Sequence, residues 1–175
     1  MFRKANSDDI NSIAEIYQQI LEQEEKQITH IGWLPNVYPI KDTAISALNR
    51  NDLFVYEENG KILASGIINH IQPEAYTKGN WKYTADNNKI MVLHTLVVSP
   101  EYGKSGIGKK FVKYYEEYAL EQGCSLLRID TNKKNTVARS FYNKLGYEEI
   151  GIVDCNFNRI PNVNLVLLEK KISDF

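Results

Sequence analysis

The chain has 175 residues, 43% of them hydrophobic and 25% charged, values of a folded globular chain rather than a disordered or fibrous one. One domain over residues 1–175 is expected, able to bury roughly 70% of the surface its unfolded form exposes without a disulfide or metal staple. The 21 Lys and Arg against 22 Asp and Glu leave a net charge of −1; blanket phosphate neutralisation calls for a basic excess, so no nucleic-acid partner is expected.

No apolar run approaches the ~18 residues of a membrane span, and the opening MFRKANSDDI lacks the apolar core of a leader. No Asn-x-Ser/Thr acceptor occurs. Cys124 and Cys155 stand far apart, with neither a Cys-x-x-Cys pair nor a nearby His pair. The expectation is a cytoplasmic protein with reduced thiols, no metal and no membrane contact.

Phe2–Ala5 reads as a short strand. Ser7 is the expected N-cap of a first helix, with Asp8 and Asp9 in its first turn, where the dipole favours negative charge. Ile10, Ile13, Ala14, Tyr17, Ile20 and Leu21 then fall on one helical stripe. Thr29–Ile40, holding Trp33, Pro35, Tyr38 and Pro39, reads as a loop, and Asp42 or Thr43 as the cap of a short helix through Asn49. Asn59-Gly60 between Leu53–Glu57 and Lys61–Ile71 is a hairpin signal. Gln72–Lys89 is a polar and aromatic connection. Ile90–Val98 is a continuous apolar run, expected of a strand covered on both faces.

A helix is predicted over Gly106–Gln122, stopped by Gly123, from the spacing of Ile107, Phe111, Val112, Tyr115, Tyr118 and Ala119. Leu126–Thr131 is a strand, and Asn135 caps a helix closed by Gly146. Tyr147–Val153 and Val163–Glu169 complete the sheet. The fold class is thus α/β, a mixed sheet with helices on its faces, in the order β-α-α-β-β-β-α-β-α-β-β.

Chemistry concentrates where the buried strand ends at Val98 and a turn leads into the next helix through Gly103, Lys104, Ser105, Gly106, Ile107, Gly108 and Lys109. Free amides at a helix N-terminus, next to glycines, suit a phosphate group. Lys104, Lys109, Lys110 and Lys113 add positive charge. A Walker A loop fails because Val98 stands where its first Gly belongs, and a dinucleotide fingerprint fails at Phe111.

Leu96, Val98, Pro100, Gly106 and Gly108, followed by Asn135, Ala138, Tyr142, Gly146 and Tyr147, match two motifs in the right order. With them the chain resembles the GNAT superfamily of acetyl-CoA-dependent N-acetyltransferases, from Phe2 to Glu169. Gly103 departs from the pattern, standing where the family usually has Gln or Arg. The resemblance implies acetyl-CoA as co-substrate and a primary amine of a small molecule or peptide as acceptor. It implies that the strand backbone at Leu96, Val97 and Val98 pairs with the pantetheine arm and that Lys104–Lys109 hold the pyrophosphate. Asn135 would bond the pantetheine, although a plain helix cap accounts for it equally well.

By the same resemblance Tyr142 is the acid that protonates the departing thiolate, against the simpler reading of a core aromatic. His94, two residues before Leu96, is expected on the same strand face and is the candidate base. A structural histidine is the competing reading, with Glu57, Glu74 or a water chain as substitutes. Trp33, Tyr38, Tyr76, Trp81 and Tyr83 are read as an acceptor wall, as loop anchors or as a homodimer interface. Two other functions stay open: an acyl-CoA sensor without turnover, and a nucleotide-binding protein using the glycine turn.

Overall fold

Seven strands make one mixed sheet in the order β1-β2-β3-β4-β5-β7-β6. The structure is a computed structural model describing residues 1–173. The strands are β1 (Phe2–Lys4), β2 (Leu53–Glu58), β3 (Lys61–Asn69), β4 (Ile90–Val98), β5 (Leu126–Asn132), β6 (Glu148–Phe157) and β7 (Ile160–Lys171); the helices are α1 (Ile10–Glu25), α2 (Lys41–Asn49), α3 (Ile107–Glu121) and α4 (Thr136–Lys144). Element order and class are those expected. Every adjacent pair is antiparallel except β4 and β5.

Local signals explain the turns. Asn59 and Gly60 both take positive φ, 51° and 76°, the geometry that lets two residues close a twisted hairpin. A 3-10 turn over Ser7–Asp9 leads into α1, and its cap is Asn6, one residue before the Ser7 expected to cap the helix. The Asn6 side chain accepts from the Asp8 amide, and Asp9 accepts from the Asn6 amide at 2.8 Å. Asp9 also receives Arg3 at 2.7 and 2.9 Å, so the capped turn is tied to β1. The second helix begins at Lys41, and Thr43 Oγ1 accepts from the Ile40 amide rather than acting as the cap residue itself.

The sheet has two covered faces. On one, α3 and α4 bury Phe111, Val112, Tyr115 and Tyr142 against Leu93, Leu127 and Ile129. On the other, α1 and α2 cover Leu53, Val55, Ile67 and Val97, while the 70–89 connection lays Tyr76 against Val92, Leu165 and Leu167. That connection is strapped down from β5. The Arg128 guanidinium lies 3.8 Å from the centre of the Trp81 ring, bonds Gln72 and donates to the Tyr83 carbonyl at 3.2 Å. Beside it the buried Glu169 accepts from the Lys82 amide at 2.6 Å.

One irregularity opens the sheet. Between Ser65↔Val97 and Ile67↔His94, β4 carries one more residue than β3. The extra residue is accommodated at Thr95, whose φ is 49°, a β-bulge that bends the strand. Past it, β4 and β5 part: their pairing runs from Ile90↔Leu126 to Leu93↔Ile129 and stops.

Candidate active site

The parting of β4 and β5 is the floor of a cleft of about 560 Å³ that reaches both faces of the sheet. Leu93–Val98 line one side, Ile129–Asn132 the other, and Asn135, Ala138 and Tyr142 close it from α4. Beyond Leu93 the β4 backbone is paired only toward β3, so its other edge can receive an extended chain as an added strand.

At the end of β4 the turn delivers the amides expected for a phosphate. Lys104 takes φ 63° and Gly106 φ 84°. The first helical bond runs from the Lys110 amide to the Gly106 carbonyl at 3.0 Å, leaving the amides of Ile107, Gly108 and Lys109 without a helical acceptor. Lys104 lines the cleft, and Ser105, Gly106 and Lys109 are exposed beside it. The Ile107 side chain instead points into the core, so only its amide is available. Asn135 lines the cleft and at the same time caps α4, its Oδ1 accepting from the Ala138 amide at 3.1 Å.

Tyr142 is buried between Phe141 and Tyr147, with ring centres 5.1 and 5.8 Å away, and it lines the cleft. Its phenol is held above its ordinary range by burial and further by the nearby Asp130 carboxyl. His94 also lines the cleft, but from the other face. Alternation alone puts it beside Leu96; the bulge at Thr95 reverses that parity. Leu96 packs with the α3 and α4 cluster, whereas His94 stands opposite Ile67, which packs under α1 and α2. His94 Nε2 lies 2.8 Å from Asn69 Oδ1, which also accepts from the Ile71 amide, and Asn69 Nδ2 donates to Asp52 at 2.8 Å. Desolvation lowers the imidazole to about 4, so it is neutral at physiological pH.

Two candidates for the base fall away from the cleft: Glu57 is bound by Arg3 at 2.7 Å, and Glu74 is exposed on the 70–89 connection. The aromatic residues divide. Trp33 and Tyr38 line the cleft, with the Tyr38 and Thr95 hydroxyls hydrogen-bonded to each other; Trp81 and Tyr83 are anchors of the strap on β5.

The cleft also holds a group that the sequence reading passed over. Asp130, on β5, lines it and accepts from the Tyr76 hydroxyl at 2.7 Å. Burial raises its carboxyl to about 6, partly offset by that hydrogen bond. The signal was available: an Asp inside the apolar strand Leu126–Thr131 breaks the pattern, and a carboxylate taken out of water demands a reason.

The family model described as Acetyltransferase (GNAT) family matches residues 11–147. The chain belongs to that family. Thialysine N-epsilon-acetyltransferase of Bos taurus is 34% identical over 70 residues, 40% of this chain and 41% of the bovine protein. The chain thus matches about two fifths of that curated relative. Among solved structures, a GNAT family acetyltransferase from Streptococcus agalactiae covers 99% of this chain and 96% of its own, with TM-score 0.80 and 20% identity. The yncA protein of Salmonella typhimurium, solved with its cofactor acetyl-CoA, covers 100% of this chain and 95% of its own, with TM-score 0.69 and 15% identity. These likenesses establish the GNAT fold.

Proposed function

We propose that this GNAT chain moves an acetyl group from acetyl-CoA to a primary amine of a small molecule or protein. The observation that carries the reading is the unpaired edge of β4 leading straight into a helix N-terminus with free amides. An extended pantetheine arm needs the first and a pyrophosphate the second. Leu96, Val97, Val98 and Asn135 would hold the arm, and Lys104–Lys109 the phosphates. Gly103 contributes no side chain where the family has Gln or Arg, so the charge near the pyrophosphate falls to Lys104.

Tyr142 is the acid of this proposal: a neutral phenol, in the cleft, on the same face as the turn. His94 is neutral and engaged with Asn69 on the opposite face, so we assign it to the wall of the cleft beside the reaction. An imidazole at about 4 is a poor acceptor for an ammonium proton. The proposal includes a cytoplasmic setting in which the free thiols Cys124 and Cys155 stay reduced.

The test is titration calorimetry with acetyl-CoA, followed by thiol release over a panel of amines and peptides. Thialysine belongs in that panel because of the bovine relative. Binding with amine-dependent thiol release is expected. No heat of binding overturns the reading, and binding without release against any amine makes the chain an acyl-CoA sensor.

A further inference from the structure

Acetyl transfer to an ammonium needs two proton-handling groups, one at nitrogen and one at sulfur. The faces of the sheet separate the candidates. Tyr142 belongs to α4 and to the cluster that holds the phosphate turn. Asp130 belongs to the opposite face: it bonds Tyr76, which packs there against Val92 and Leu165. The two meet only where β4 and β5 part. Tyr76 occupies Asp130 Oδ2, and Oδ1 makes no hydrogen bond among the described residues. Trp33, Tyr38 and Phe157 line the cleft with it, apolar and π-rich surface of the kind that accepts an alkylammonium.

Resting on the acetyltransferase reading above, we propose that Asp130, oriented by Tyr76, receives the acceptor's ammonium from the face opposite Tyr142 and takes its proton. The ammonium proton passes to the Asp130 carboxylate and on to solvent. The free amine attacks the thioester carbonyl; the C–S bond breaks as sulfur takes the Tyr142 proton. The second N–H proton, lost as the amide forms, restores the phenol. The products are the amide, the CoA thiol and one proton.

The charge environment suits the role. Facing Asp130 are Tyr76 from the 70–89 connection, Tyr38 from the first connection, Tyr142 from α4 and Cys155 from β6, with neutral His94 across the cleft on β4. The cation near this group is Arg128, two positions along β5 and acting on Tyr76, but its guanidinium is held by Gln72, the Tyr83 carbonyl and the Trp81 ring, so Asp130 Oδ1 is left for an incoming ammonium. Burial brings the carboxyl up to about 6, and the same desolvation lowers a bound ammonium, drawing the two toward each other. A base must be ionised to act, so kcat/KM is expected to rise with pH through about 6.

The experiment uses the full chain, wild type, Asp130→Asn and Tyr76→Phe. Nα-acetyl-lysine is the acceptor in rate measurements from acid to alkaline pH. n-Butylammonium is the ligand in NMR of protein carrying 13C-labelled Asp carboxyls. Asp130→Asn is expected to lower kcat/KM by roughly 10²–10⁴-fold and abolish the limb near about 6, with acetyl-CoA affinity unchanged. Tyr76→Phe removes a hydrogen bond that both favours and orients the carboxylate, so the limb moves to higher pH and the plateau falls, by less than in Asp130→Asn. The Asp130 carboxyl resonance moves on adding n-butylammonium. Wild-type kcat/KM in Asp130→Asn, a Tyr76→Phe profile lowered uniformly without a shift, or a resonance indifferent to the amine overturns the proposal. Loss of acetyl-CoA binding by wild type would instead defeat the acetyltransferase reading, and the carboxyl's response to n-butylammonium reports separately.

Discussion

Tyr142 and His94 reached the cleft for different physical reasons, and single substitutions separate them. Tyr142→Phe removes one oxygen from a well-packed ring. If the phenol protonates the thiolate, kcat falls by roughly 10²–10⁴-fold while acetyl-CoA affinity, read by calorimetry, stays put; an unchanged kcat removes the acid. His94 makes a statement about stability. Its folded value of about 4 lies below the ordinary 6.5, so between those values the unfolded chain binds more protons than the native one. Stability therefore drops as pH falls through that window, by about 3 kcal/mol near its lower end. His94→Gln should cancel that loss. Urea midpoints of variant and wild type, compared at neutral and acid pH, are expected to differ only on the acid side; a gap that persists unchanged at neutral pH refutes the account.

At the level of elements, the opening between β4 and β5 depends on a close approach behind it. Gly66, opposite the bulge, lies under α3: a Cβ there would sit 2.8 Å from Phe111 Cε1 and 3.2 Å from Leu93 Cδ1. Phe111 is fully buried and cannot swing aside without disturbing the helix that begins at the phosphate turn. Gly66→Ala is expected to cost about 1–3 kcal/mol by overpacking and to weaken acetyl-CoA binding with it. Urea denaturation and calorimetry check this; an unaltered urea midpoint would mean that α3 does not need the glycine. The same strand shows what local reading can and cannot reach. Asn59-Gly60, the Asn135 cap and the stripe on α1 are written in neighbouring residues, and all three were legible. The bulge is not: Thr95 is a β-branched residue with positive φ, held by a contact with Tyr38 from a distant loop. Missing it reversed the face of His94.

Across the whole molecule, element order, the mixed sheet and the location of the phosphate turn were legible because hydrophobic period and glycine placement record them directly. The pairing that makes Asp130 chemically distinct was not, because it joins β5 to Tyr76, 54 residues away. Tyr76 in turn sits where it does because the 70–89 connection is strapped by Arg128 and Glu169, on strands whose other residues build the core. The fastening therefore acts as a remote adjuster. A substitution at Trp81, Gln72 or Glu169, touching neither coenzyme nor acceptor, would loosen the tyrosine's grip and retune the carboxyl's acidity, so descendants of this chain could drift in working pH while their cleft walls stayed the same.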